Sequence, residues 1–367
     1  MNRIVVANLA YRPVRTLLSV TAVAVEVVLI LLIVGLSLGM LNDGRTRQQG
    51  IGADLLVQPP GSSFFVGITG APVSEKVADV LRRVPEVAVV APVILQLATS
   101  GAVEVVYGID YHSYSELIGG FHFLEGGTFQ GPNDVIVDDV YAYGKGQHVG
   151  SQIDIMNHMF RICGIVQHGK GARKFLPLAT MQELIGAEGK VSVFYVKTDR
   201  PEDADHVVKK ILAIPGMETY TVRSMREYLS MMTPGNVPGL STFITVVIGI
   251  SVIIGFIVLF QSMYTAVLER TREIGILKSL GASKVYIVNL VLRETLLLSF
   301  AGTAVGVAAS FLLKAAIRWR FPTLPIQIQP AWIAYATIIS VLGALLGAVY
   351  PAFRAAQKDP IDAIAYE

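Results

Sequence analysis

The chain of 367 residues is 53% hydrophobic and 16% charged, with a mean hydropathy of +0.56, which excludes an ordinary soluble domain and marks a membrane protein. A net charge of +2 at pH 7 gives no basis for a nucleic-acid partner. The single cysteine, Cys163, rules out an intrachain disulfide and reads as a strand core residue rather than a reactive thiol.

Four segments, 16–40, 243–268, 295–313 and 331–353, are apolar over about the 20 residues that a bilayer crossing needs. The first follows a basic stretch (Arg3, Arg12, Arg15), but its apolar run is too long for a signal peptide and no small-residue cleavage site follows. It is expected to stay in place as an anchor. Between the first two spans, short β-rich runs alternate with turn residues and amphipathic helices, so this region folds. Strands are predicted over 53–58, 87–97, 103–109, 134–137, 152–156, 160–166 and 191–197, and helices over 74–84 and 201–214. Residues 54–93 and 191–222 share the order strand, helix, proline turn, strand, with Val84-Pro85-Glu86-Val87 and Ile214-Pro215-Gly216-Met217 as equivalent turns. This predicts a duplicated βαβ unit with an inserted β-rich lobe. Thr233-Pro234-Gly235-Asn236-Val237-Pro238-Gly239 then breaks regular structure before the second span.

The expected fold class is an α-helical membrane bundle of four transmembrane helices with a large α+β extracytoplasmic domain between helices 1 and 2. The domain plan is 1–41 for an amphipathic N-terminal segment and the first helix, 42–240 for the outer domain, and 241–367 for helices 2–4. Lys and Arg near the span ends set the orientation. Arg3, Arg12, Arg15, Arg270, Arg272, Lys278, Lys284, Arg354 and Lys358 share the cytoplasmic side if both termini are cytoplasmic, against Arg45, Arg47, Arg318 and Arg320 opposite.

Within the spans, Gly35 and Gly39, Gly302 and Gly306, and Gly343 and Gly347 each make a small-xxx-small pair suited to close helix packing, in a bundle or a dimer. Glu26 is a carboxylate well inside the first span. Burial of such a group in lipid is costly, which makes it a candidate intramembrane substrate or partner site, with Gln261, Ser262 or Ser310 as candidate neighbours.

Several catalytic motifs are set aside. Gly164-Ile165-Val166-Gln167-His168-Gly169-Lys170-Gly171 nearly fits a phosphate-binding loop, but Gly171 replaces the magnesium-binding Ser or Thr and the segment lies in the outer region. The six histidines (His112, His122, His148, His158, His168, His206) show no ligand spacing, so no metal site is expected. No Gly-x-Ser-x-Gly elbow is present. The chain is expected to be non-catalytic and to hold no cofactor.

Between the second and third spans stands Glu269-Arg270-Thr271-Arg272-Glu273, followed by Ile274 to Ser283. A charged, helix-prone run held there is a short helix offered to a partner. Arg270-Thr271-Arg272-Glu273-Ile274-Gly275-Ile276-Leu277-Lys278-Ser279-Leu280-Gly281-Ala282-Ser283 resembles the signature of the MacB-like (MacB/FtsX/LolC-type, mechanotransmission) ABC transporter permeases. Asn8-Leu9-Ala10-Tyr11-Arg12 and Arg15-Thr16-Leu17-Leu18 resemble that family's opening, Gly52-Ala53-Asp54-Leu55 the start of its outer domain, and Pro351-Ala352-Phe353-Arg354-Ala355-Ala356 with Asp359-Pro360-Ile361 its end.

The resemblance implies a multi-pass permease subunit of the inner membrane, paired with a second copy or paralogue and with two cytoplasmic ABC ATPases that bind ATP and Mg. The ATPase domain fused in some members is missing from this sequence, so ATP hydrolysis is expected from a separate subunit. A coupling helix over 269–283 would use Glu269, Arg270, Arg272, Glu273, Ile274, Leu277, Lys278, Leu280 and Gly281 to receive motion. That motion would reach an outer domain that exports or extracts a lipid, lipoprotein, peptide, drug or haem, with a periplasmic adaptor or outer-membrane component as a further partner. The alternative is an FtsX-like transducer that regulates an outer protein without transport.

Overall fold

In the computed structural model, residues 11, 13–62, 71–99 and 103–358 are described. Asn8, Leu9, Ala10, Arg12 and Asp359-Pro360-Ile361 of the family resemblance, and Arg3 of the orientation argument, lie outside them. The chain divides into two compact units.

In chain order the elements are α1 (Pro13–Gln49), β1 (Leu55–Gln58), β2 (Val73–Ser74), α2 (Val77–Arg82), β3 (Val87–Thr99), β4 (Val103–Ile109), α3 (Tyr111–Leu117), β5 (Phe123–Gly126), β6 (Asp134–Asp138) and α4 (Asp139–Lys145). Then come β7 (Gln152–Ile155), β8 (His158–Val166), β9 (Lys174–Pro177), α5 (Leu178–Leu184), β10 (Lys190–Val191), β11 (Val193–Thr198), a 3-10 turn (Pro201–Asp203), α6 (Ala204–Leu212), β12 (Thr221–Ser224) and α7 (Met225–Met231). The rest is helical: α8 (Leu240–Glu269), α9 (Thr271–Ser279), α10 (Lys284–Arg320) and α11 (Pro330–Gln357). Four of these helices, α1, α8, α10 and α11, are long and apolar enough to cross a membrane.

The membrane unit contains the described residues up to Gly39, Pro238–Arg320 and those from Leu324 on. Lipid tails give apolar helices no reason to associate, so close backbone approach has to hold them. Five of the six paired glycines sit tightly against neighbouring backbone or side chains of the same chain, and Gly343 does not. A Cβ on Gly302 would meet Val23 Cβ at 2.6 Å, and one on Gly306 would meet the Ala24 carbonyl at 2.8 Å, so α10 lies directly on α1. Gly347 approaches the Phe256 carbonyl of α8, where an added Cβ would stand 3.0 Å away. Gly35 and Gly39 are covered by the extended segment before α11, whose Gln327 N–H donates to the Gly35 carbonyl at 2.9 Å. The glycines thus seat backbone against backbone, and the side chains of Val23, Val27, Ile30, Leu259, Ala336 and Ala344 fill the core between them.

The outer unit contains Met40–Val237 with Phe321–Thr323. Its sheet runs β12-β1-β11-β3-β4-β9-β6-β8-β5, with β7 paired to β8. Because β11 is antiparallel to both β1 and β3, and β1 to both β11 and β12, the β1-α2-β3 and β11-α6-β12 units interlock as two split βαβ units. That is the physical form of the duplication in the sequence, and β4 to β9 form the inserted lobe. Alternate residues of β1 serve opposite faces: Leu55 and Val57 join a core with Leu81, Val207 and Ile211, while Leu56 joins one with Tyr114, Tyr195 and Tyr228. The sheet is therefore covered on both sides.

The outer end of α1 belongs to this unit. Gln48 is buried and donates to the Tyr107 hydroxyl at 2.8 Å, while Tyr195 donates to Gln48 Oε1 at 3.0 Å. Burial raises the pKa of Tyr107, and raises that of Tyr195 well above the ordinary value, so both stay neutral hydroxyls. Asp43 pairs with Arg173 at 3.1 Å, and Arg173 also reaches Asp138 at 3.2 Å. Burial pushes the Asp138 carboxyl up to about 6, against the opposing pull of Arg173.

Crowding at the glycines separates the two faces of the bundle by experiment. Gly302→Ala should cost about 1–3 kcal/mol by overpacking, whereas Gly343→Ala, whose Cβ would meet Val252 Cγ1 at an ordinary 3.7 Å, should leave the melting temperature unchanged or raise it. Thermal melting of the two purified variants beside the parent checks the contrast.

Candidate functional site

The site is the short helix between the second and third spans. Arg270, with φ −109° and ψ 17°, breaks α8 from α9. At the other end Gly281 takes φ +95°, a left-handed conformation that glycine accepts without strain, and the Ala282 N–H donates back to the Leu277 carbonyl at 3.0 Å. Ser283 Oγ then accepts from the Tyr286 N–H at 3.2 Å and caps α10. The result is an angular joint in which the C-terminal end of α9 and the first turn of α10 are capped.

The two faces of α9 differ. Thr271, Ile274 and Gly275 are buried, and Leu277 is half-buried; Ile274 and Leu277 pack with Met263, Ile287, Val291 and Ala352. Arg272, Glu273, Ile276, Ser279 and Leu280 face outward, with Leu280 79% exposed and Val285 just beyond it 71% exposed. The outward surface is thus apolar at Ile276, Leu280 and Val285 and charged at Arg272 and Glu273. Four residues expected on it lie elsewhere: Ile274 and Leu277 are turned into the bundle, the Lys278 ammonium donates to the carbonyls of Ala356 (3.0 Å) and Lys358 at the end of α11, and the fourth is Arg270. Cations are favoured there because the last carbonyls of a helix have no intrahelical partner.

Arg270 turns inward as well. Its Nη1 donates to Glu294 Oε2 at 2.9 Å, and Arg15 Nη2 donates to Glu294 Oε1 at 2.7 Å. Only 4% of the Glu294 side chain is exposed, against 12% for Arg15 and 11% for Arg270. Glu269 is exposed at the edge of a groove of about 710 Å³, which is also lined by Arg15, Leu18, Ile257, Gln261 and Ser262.

A model of the MacB-like periplasmic core domain matches residues 16–214, more than half of the chain, and a model of the FtsX-like permease C-terminal region matches 245–360. The chain belongs to the MacB-like permease family. The macrolide export ATP-binding/permease protein MacB of Escherichia coli K12 is 27% identical over 270 residues, covering 68% of this chain and 41% of that protein. An uncharacterized ABC transporter permease of Methanocaldococcus jannaschii is 29% identical over 230 residues, covering 59% of this chain and 57% of that protein. This permease therefore spans well under two thirds of the length of these curated relatives. Among solved structures, the periplasmic region of MacB from Actinobacillus actinomycetemcomitans aligns at TM-score 0.39 and 15% identity, over 50% of this chain and 94% of that one. The extracellular domain of the noncanonic ABC-type transporter YknZ aligns at TM-score 0.36 and 16% identity, over 47% of this chain and 98% of that one.

The motifs set aside by sequence have structural explanations. The glycine-rich stretch of this permease leads from β8 into β9, not into a helix, so it lacks the helix N-terminus that cradles a phosphate. Its Lys170 Nζ donates to the Ile118 carbonyl at 3.0 Å. Among the described residues no group of His, Cys, Asp or Glu could hold a metal ion. Cys163 lies buried in β8, where loss of hydration pushes its thiol up to about 12.

Glu26 is inside the chain's own bundle. It is 3% exposed and packed against the backbone of Gly255, beside Ser340, with no hydrogen-bond partner for its Oε1. The suggested neighbours are engaged or distant: Ser262 pairs with Ser19 at 2.6 Å, Ser310 bonds the Gly306 carbonyl at 2.8 Å, and Gln261 is exposed at the groove.

Glu294 and Ile276 were not singled out by sequence. Glu294 immediately precedes the apolar run 295–313 and reads as an ordinary interfacial charge. Ile276 was hidden because faces of a nine-residue helix are ambiguous without knowing which side packs.

The fit of Glu26 to Gly255 gives a two-residue test. Gly255→Ala should destabilise the protein by about 1–3 kcal/mol through a clash with the carboxylate, and Glu26→Ala should suppress most of that loss. A double-mutant cycle on melting free energies checks it, and additive losses would show that the two sites do not touch.

Proposed function

We propose that the chain is the permease subunit of an ABC transporter. In this reading it relays ATP-driven motion from a separate cytoplasmic ATPase to its outer domain, for export or extraction of a substrate outside the membrane or in its outer leaflet. The observation that carries this is α9: its inner face is fixed to the bundle while Arg272, Glu273, Ile276 and Leu280 stand free on the outer face. Three exposed apolar side chains on one short segment, Ile276, Leu280 and Val285, with charged Arg272 and Glu273 on the same segment, make a surface suited to a protein partner. Family membership supports an ABC ATPase as that partner, and the curated MacB relatives carry ATP-binding and permease functions in one name. The working complex then holds two ATPases and a second permease, in the inner membrane with α9 and both termini cytoplasmic. ATP and Mg belong to the ATPases, and this chain performs no chemistry. The bias of Lys and Arg toward the α9 side supports the orientation.

The interface is tested by Leu280→Asp and by Arg272→Ala combined with Glu273→Ala. Leu280→Asp should weaken co-purification with an ABC ATPase that the parent permease binds by about tenfold or more, since it places a charge in the apolar centre of the contact. The exposed charge pair should cost less, about two- to fivefold, because solvated ions contribute little. Both variants should insert normally, and unchanged co-purification and ATP hydrolysis would remove α9 as the contact.

Topology is tested by single cysteines at Ser62, Glu188 and Ser279. The native thiol is buried and protonated, so it gives no background. An impermeant maleimide should label the Ser62 and Glu188 positions in intact cells and the Ser279 position only after permeabilisation. Labelling of Ser279 alone would invert the orientation.

A further inference from the structure

The joint that bears α9 is fastened to every span of its own chain. It continues α8 across the break at Arg270. Through Arg270 it meets Glu294 of α10, and the other oxygen of the same carboxylate holds Arg15 of α1. Through Lys278 it holds the last carbonyls of α11. A buried carboxylate is tolerated only when matched by charge-assisted hydrogen bonds, and here each oxygen takes one guanidinium. The cluster therefore cannot lose one arm without leaving a buried charge undermatched. A helix seated only by Ile274 and Leu277 could slide or rock on its apolar contacts, because such contacts are non-directional. Two polar ties at opposite ends remove that freedom.

We propose that Arg15, Glu294, Arg270 and Lys278 are positioning residues that lock α9 to α1, α10 and α11, so that a displacement of α9 reaches all four spans together. The proposal rests on the reading of α9 as the ATPase contact, but the lock itself is a property of the isolated permease. Glu294 is its centre, because it is the one group shared by three helices.

Hydrogen exchange of the full chain in phosphatidylethanolamine and phosphatidylglycerol nanodiscs tests it. In Glu294→Gln, which keeps shape and removes the charge, amides of α9 should exchange about tenfold faster or more, while those in the outer half of α10 keep the parent's protection. Arg270→Gln leaves the Arg15–Glu294 pair in place, so it should loosen α9 to a similar degree and leave α1 unchanged. Unchanged exchange in α9 for either variant would overturn the lock. Faster exchange across all helices would also overturn it, since the cluster would then only hold the fold.

With an ABC ATPase that the parent permease binds and stimulates, Glu294→Gln should still assemble. It should leave the KM for ATP unchanged and lower the permease-stimulated maximum rate at least fivefold; a full stimulated rate would overturn the proposal. Leu280→Asp separates the two ideas. It should leave α9 exchange at the parent's level while losing the ATPase. If the ATPase stays bound in that variant while the exchange results hold, the coupling reading fails and the lock stands.

Discussion

A carboxylate with 4% of its side chain exposed carries a large desolvation cost unless donors match it. Glu294 is matched twice, and the positions of three helix ends follow from that. Arg15 ties the described start of α1 to α10, Arg270 ties the break between α8 and α9 to the same carboxylate, and α10 carries the charge between them. The apolar contacts of Ile274, Leu277, Ile287 and Val291 would accept several registers. The salt-bridged cluster accepts one, because guanidinium and carboxylate groups are directional.

Deeper in the bundle the constraint changes from charge to shape. Gly302 and Gly306 admit Val23 and Ala24 to backbone distance, and Gly347 does the same for Phe256. These contacts and the cluster act at different depths, and neither relies on a hydrophobic driving force that lipid does not supply. In the outer unit water is available and the logic is ordinary: a two-faced sheet with apolar layers on both sides, joined to the end of α1 by Gln48 between two tyrosines.

Features with strong periodicity were legible in the sequence. The strand over 103–109 was read at its observed bounds, since Val103-Glu104-Val105-Val106-Tyr107 is β-branched and aromatic up to a turn at Asp110. The paired proline turns revealed the two interlocking βαβ units. What escaped were elements whose stability is tertiary. The first helix was expected to end at residue 40, because Asn42-Asp43-Gly44-Arg45-Thr46-Arg47-Gln48-Gln49 is polar. It continues to Gln49 because Asp43 pairs with Arg173 just before β9 and Gln48 with tyrosines of β4 and β11. The seven-residue helices α3, α4, α5 and α7 are too short for a helical period to emerge. At the site, the joint with its capping Gly281 and Ser283 was readable from local rules. The inward turn of Ile274, Arg270 and Lys278 was not, since local rules do not say which face meets the bundle.

The hydroxyls of the spans carry a further consequence. Ser37, Ser251, Thr295, Ser310 and Thr337 each donate to a carbonyl one turn earlier on their own helix. Each bond uses the hydroxyl hydrogen within its own helix, so these five side chains add no donor between helices and keep only their oxygen lone pairs for a neighbour. Cohesion across the bundle is thereby left to shape at the glycines and to the charged cluster, so the interior of the spans is tied by geometry more than by hydroxyl donors.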